Sequence, residues 1–94
     1  MLHHILVKYT EDVTDKEALI PKIEQIFSSL KDMEGIHSVT VHPNVIDRPN
    51  RYDVMIVIDM APEALEAYDK SEAHHHWKDE FGSLMAKKAI FDCD

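Results

Sequence analysis

From Arg51 to Met60 one side of the chain reads Tyr52, Val54, Ile56, Ile58 and Met60, a large apolar or aromatic residue at every second position. A period of two places them on one face of a β-strand. The opposite face is apolar in its centre as well, through Met55 and Val57. A strand apolar on both faces has to be covered on both, because a large exposed apolar patch associates with something. Whatever this chain folds into must supply two covers for one sheet.

The preceding residues provide two more strands and a helix. Leu2 to Tyr9 alternates His3, Ile5, Val7 and Tyr9 against His4, Leu6 and Lys8. Thr10 to Val13 is a polar turn. Thr14-Asp15-Lys16-Glu17 fits a capping box, with Thr14 as N-cap and Glu17 as its partner. The helix is expected to run from there to about Met33, with Leu19, Ile23, Ile26, Phe27 and Leu30 as its apolar face. Pro21 removes a backbone donor and predicts a kink or restart. Glu34-Gly35 supplies the stop. Ile36 to His42 is a second strand, with Val39 and Val41 on one face and Ile36, Ser38, Thr40 and His42 on the other. Pro43 to Asn50 is a polar loop.

Beyond Met60 the period changes to that of helices. Pro62 to Lys70 is a short helix with Leu65 and Tyr68 on one side. Ser71 offers a fresh N-cap, its hydroxyl free to accept the amide of Ala73 or His74. The restarted helix carries Trp77, Phe81, Leu84 and Met85 as an apolar stripe, and His74, three residues before Trp77, belongs to it. Lys88 to Cys93 closes the chain as a strand in which Ala89, Phe91 and Cys93 alternate with Ile90 and Asp92.

The order β-α-β-β-α-β is that of an α+β, ferredoxin-like domain spanning residues 1–94, a four-stranded antiparallel sheet with its helices on one face. The helices supply only one cover. The far face is expected to carry Leu6, Val39 or Val41, Met55, Val57 and Ile90. A second copy of the chain across a two-fold axis is the simplest second cover, so a homodimer is expected.

Charge narrows the partners. The formal net charge is −8, from 18 Asp+Glu against 10 Lys+Arg. That argues against nucleic acid and against an anionic membrane. The one cysteine, Cys93, excludes an internal disulfide and suits a reducing cytoplasm. Met1-Leu2-His3-His4 does not read as a signal peptide, and no stretch approaches the ~20 apolar residues of a membrane span.

Several local patterns follow in order along the chain: His3 to Tyr9 as His-x-Ile-Leu-Val-Lys-Tyr, Pro43-Asn44-Val45, Tyr52-Asp53, Glu63 to Tyr68 as Glu-Ala-Leu-Glu-Ala-Tyr, Ala73-His74, and Ile90-Phe91-Asp92. Together they resemble the stress-responsive A/B barrel (Dabb) family, a branch of the dimeric α/β barrels. The resemblance implies a homodimer whose two sheets face each other, and a cleft in each subunit between sheet and helices. It also implies a candidate chemistry. One plant member is a polyketide cyclase that closes an aromatic ring without a cofactor, using a tyrosine and a histidine six residues apart with a strand-one histidine nearby. Tyr68 and His74 match the pair, and His3 matches the strand histidine when the alignment is anchored on Lys8-Tyr9. The chain departs from the family pattern at Val54, where many members have histidine, and at Glu72, where proline is common. Its first helix also lacks the tyrosine that the cyclase uses.

The candidate catalytic residues are thus His74, Tyr68 and His3, and the expected cleft lining is Ile5, Val7, Val54, Ile56, Trp77 and Phe81. Near the positive end of its helix His74 resists protonation, and a neutral imidazole can take a proton from a carbon acid. Tyr68 can donate a hydrogen bond to a developing enolate oxygen. Such chemistry calls for no cofactor and no metal. The run His74-His75-His76 pairs His75 with Asp79 and His76 with Glu80 at helical spacing, but two ligands on an exposed face fall short of the three or four of a tight site. Three functions remain open at this level: a barrel of unassigned chemistry holding a small apolar or phenolic ligand, a cofactor-free enzyme of cyclase type, and a structural or interaction protein with a filled core. A cavity reached by His74 separates the first two from the third.

Overall fold

The computed structural model describes residues 1–94. Its regular elements are β1 (Leu2–Tyr9), α1 (Leu19–Ser28), β2 (Ile36–Pro43), β3 (Val54–Met60), α2 (Leu65–Asp69), α3 (Glu72–Phe81) and β4 (Met85–Cys93). The four strands form one antiparallel sheet in the order β2-β3-β1-β4. This is the ferredoxin-like arrangement. The central strands β1 and β3 alternate buried and half-buried residues along their whole length, as their period of two requires. Ile5, Val7, Ile56 and Ile58 point to the helical side and are at most 2% exposed. Ile23, Phe27 and Leu30 descend on them from α1 and the 3-10 turn after it, and Tyr68, Trp77 and Phe81 from the second helical layer.

The first helix begins later than the capping box predicts. Thr14 to Glu17 stay outside it, and Ala18 is the N-cap, with no side chain bonded to the helix. Pro21 explains the shift. A proline is tolerated in the first turn, where its missing amide has no partner in any case. Starting at Leu19 makes Pro21 the third helical residue, so no kink is needed. The segment before it is held instead by Lys16, whose ammonium donates to Asp53 Oδ1 at 2.9 Å. At the far end Gly35 adopts φ +86°, the left-handed region that disfavours a side chain. A Cβ there would also sit 2.8 Å from that of Ala64.

Two strand faces differ from expectation. In β2 the register against β3 shifts between Ile36 and Ser38. This bulge lets Ile36, Val39 and Val41 all oppose helix-facing residues of β3, namely Met60, Ile58 and Ile56. The valines therefore face the helices, and Ser38, Thr40 and His42 face away. In β4 the ladder pairs Ile90 with Ile5 and Phe91 with His4. Ile90 is on the helical side, and the outward residues are Ala89, Phe91 and Cys93. A shift of one residue exchanges the faces of a whole strand. The outer sheet face therefore carries Leu6, Met55, Val57, Ala89 and Phe91, and Phe91 is 63% exposed. Strand β4 also starts at Met85, so Leu84 and Met85 do not extend the α3 stripe. The Leu84 carbonyl accepts instead from the Thr10 amide at 2.8 Å, beside the end of β1. No helix is long and apolar enough to cross a membrane.

Candidate functional site

The chain stops being helical between Asp69 and Glu72, and the candidate site forms at that break. Ser71 is extended (φ −70°, ψ 156°), and its hydroxyl accepts the His74 amide at 3.2 Å. The same hydroxyl donates to the Tyr68 carbonyl at 2.6 Å, so one side chain ties the end of α2 to the start of α3. On a straight helix residues six apart diverge by about 120°. Across this break they converge: the Tyr68 and His74 rings lie edge-on with centroids 5.1 Å apart. On the other side of Tyr68 the His3 ring packs edge-on at 5.5 Å. The three candidate catalytic residues are one contiguous cluster.

His3 is 5% exposed, and Asp92 of the neighbouring strand binds its Nδ1 at 2.5 Å. A tautomer that donates its Nδ1 hydrogen to this carboxylate leaves Nε2 as the ring's acceptor. Asp92 is a member of the site that sequence reasoning passed over. Its alternation with Phe91 grouped it with Ile90, and Ile90 was expected on the outer face. Once the ladder turns Ile90 inward, Asp92 comes with it and meets His3 across the β1–β4 pair.

These residues line a cavity of about 320 Å³ between sheet and helices. Ile5 and Trp77 of the expected lining border it, joined by Leu65, Asp69, Lys88 and Ile90. Val7, Val54, Ile56 and Phe81 do not; they are packed in the core at 0–2% exposure. Trp77 stacks on Phe81 at 4.7 Å and tilts against Phe27 at 5.4 Å, which closes the space behind the cavity.

Two features give the cavity chemical character. The Tyr68 hydroxyl is buried and has no hydrogen-bond partner within the protein. Leaving such a group unpaired costs about 1–3 kcal/mol. Burial, and secondarily the charge of Asp69, pushes its pKa upward, so it stays a neutral donor. His74 moves the other way. Burial holds it below the ordinary 6.5, against the opposing influence of Asp69 and with the help of Lys78 and Lys88. The expected cause was the helix end; the first cause is desolvation.

This shift has a measurable consequence. The folded imidazole binds its proton less readily than the unfolded one. Its contribution to stability is therefore flat well above pH 6.5 and turns unfavourable as the pH falls through that value, until the folded ring is itself protonated. His74→Gln is expected to flatten the fall of the urea midpoint below pH 6.5, and the His74 ring protons are expected to titrate below 6.5 by NMR. A titration above 6.5 would remove the basis for a neutral His74.

The neighbouring histidines are otherwise engaged. His75 Nδ1 bonds the Ser71 carbonyl at 2.9 Å, and His76 pairs with Glu80 at 3.4 Å on the exposed face of α3. No three His, Cys, Asp or Glu residues converge as metal ligands.

Comparison with known proteins places this geometry in a family. The stress responsive A/B barrel domain (Dabb) family matches residues 1–94, and the chain belongs to it. No curated protein matches it. Among solved structures it is similar to a dimeric protein of unknown function with a ferredoxin-like fold from Bacteroides fragilis, with TM-score 0.79, 14% identity, and coverage of 99% of this chain and 93% of the other. A dimeric ferredoxin-like protein of unknown function from Thermobifida fusca matches with TM-score 0.78, 15% identity, and coverage of 96% and 85%. A Dabb family protein from Mesorhizobium loti matches with TM-score 0.73, 12% identity, and coverage of 99% and 93%. At these identities the likeness is one of fold.

Proposed function

We propose that this member of the stress responsive A/B barrel family works as a cytoplasmic homodimer, each subunit of which holds a small phenolic or similarly apolar ligand between its sheet and its helices. The observation that carries the reading is a cavity bordered by His3, His74 and the Tyr68 between them, whose buried hydroxyl has no partner. A phenol would satisfy that hydroxyl, and its ring would lie among Ile5, Leu65, Trp77 and Ile90. The cavity argues against the reading as a structural protein with a filled core. Dimerisation is supported by the apolar outer face and by the dimeric relatives of like fold, and the cytoplasm by the lone Cys93.

Trp77 is the single tryptophan and borders the cavity, so its emission reports occupancy directly. Titration with a series of alkylphenols is expected to give a saturable change with Kd below about 1 mM, weakened about 5–10-fold in Tyr68→Phe by loss of roughly one hydrogen bond. An unchanged emission up to the solubility limit of every member would refute a phenolic ligand.

A second reading, proton transfer on the bound ligand, is favoured by the lowered pKa of His74. His74 takes the proton of a C–H next to a carbonyl. The electron pair moves to the carbonyl oxygen, and the Tyr68 O–H donates a hydrogen bond to that oxygen. His3, oriented by Asp92, supplies a second lone pair at the same cavity. No cofactor takes part.

A further inference from the structure

The helix-facing row of β4 is Lys88, Ile90 and Asp92, set opposite Val7, Ile5 and His3 of β1. All three border the cavity beside Tyr68. Strand β4 is an edge of the sheet, and the helical layer leaves part of it uncovered: Ile90 is 47% exposed although it faces the helices. Asp69, across the cavity at the end of α2, is exposed as well. The cavity therefore meets solvent between β4 and the end of α2.

Three charged side chains stand at this mouth, and they are not equivalent. The Asp92 carboxylate is bound to His3. The charge of Asp69 acts on both Tyr68 and His74. Lys88 is the one lysine or arginine among the lining residues, and its ammonium makes no hydrogen bond or ion pair within the chain, unlike those of Lys8, Lys16 and Lys70. Its charge nonetheless reaches His74. The neighbouring Lys87 pairs with Lys8 in the ladder and so lies on the other face of the sheet, away from the cavity. One strand thus offers the cavity a free cation and offers the opposite face an ordinary one.

Building on the reading of this cavity as a ligand site, we infer that Lys88 is its specificity-determining residue and that the ligand is a monocarboxylic acid, whose apolar body lies among Ile5, Leu65, Trp77 and Ile90 and whose carboxylate accepts from the Lys88 ammonium at the mouth. An ion pair at the mouth keeps part of its hydration, so desolvation does not cancel the attraction. Asp69 and Asp92 limit the ligand to one negative charge. A second carboxylate would meet one of them at the same opening and be repelled. A neutral phenol still enters, without the ionic contact.

The experiment compares three probes of one ring through Trp77 emission at low salt: 3-(4-hydroxyphenyl)propanoate, its uncharged amide, and the dianion 4-hydroxybenzylmalonate. The intact protein is expected to bind the acid about 3–5-fold more tightly than the amide, the worth of a half-exposed ion pair, and to show no such advantage for the dianion. Lys88→Met is expected to bring acid and amide to equal affinity while leaving the amide where it was, which also verifies that the cavity is intact. Lys88→Arg is expected to keep the preference, and so is Lys87→Met, whose charge lies on the other face. Raising the salt to 0.5 M should shrink the preference in the intact protein. Saturation by the amide with no preference for the acid would overturn this inference alone. A preference that survives Lys88→Met, or that Lys87→Met removes equally, would assign it to the general surface charge and overturn it too. Saturation by none of the probes would remove the ligand reading beneath it as well.

Discussion

His74→Ala is expected to slow the exchange of the methyl protons of a bound hydroxyacetophenone into D₂O by at least about 100-fold relative to the intact protein, the usual worth of a positioned general base. The substrate is chosen for its two groups: a phenol ring for the cavity, and a weakly acidic C–H whose uncatalysed exchange is slow. The base must be neutral near pH 7, and burial keeps His74 so. It must act beside a donor for the enolate oxygen, and the Tyr68 ring is 5.1 Å away with its hydroxyl free. The substitution should leave the fold intact, because the α3 cap uses the His74 backbone amide rather than its ring. Proton NMR reads the exchange directly. Equal exchange in the variant and the intact protein would end the proton-transfer reading. It would leave the ligand site standing, since that is tested separately through Trp77 emission.

The second large effect concerns the other face of the sheet. Val57→Asp is expected to convert a dimer into a monomer at micromolar concentration, as read by sedimentation velocity. Val57 lies on β3, the strand flanked by β2 and β1, opposite Thr40 and His4. It is half-buried within one subunit and faces away from the helices. In a dimer closed through this face each new carboxylate would be taken out of water beside its symmetry copy's apolar surface, at a cost of several kcal/mol per ion. In the monomer it would point to solvent at little cost, so far-UV circular dichroism should be unchanged. The cavity of Tyr68 lies on the opposite side of the sheet and has no lining residue from β3. Phenol titration of the monomeric variant should therefore still saturate. A variant that stays dimeric would show that the copies meet elsewhere, with Phe91 and Leu6 left to explain.

The elements were largely legible because their causes are local. Alternation in β1 and β3, the Gly35 stop and the Ser71 cap each depend on neighbours a few residues away. The capping box at Thr14 was equally local and did not form. It competed with Pro21, which is tolerated only in a first turn, and a helix that starts at Leu19 accommodates the proline at the expense of the box.

The two face errors have a different origin. A strand's period tells which residues share a face but not which face is inside. In β2 one extra residue at Ile36–Ser38 changes the answer within the strand. In β4 both sets are partly apolar, and only pairing with β1 decides between them. That decision turned Phe91 outward, toward the proposed partner, and Asp92 inward to His3.

The order of the strands and helices, the break at Ser71, and hence the meeting of Tyr68 with His74 follow from short-range backbone preference and can be read without the fold. That Asp92 holds His3, and that Val7, Val54, Ile56 and Phe81 fill the core while a cavity remains beside Tyr68, came from the packed fold. Those facts depend on strand register and on the space left between packed layers, and neither is encoded in any one stretch of the chain.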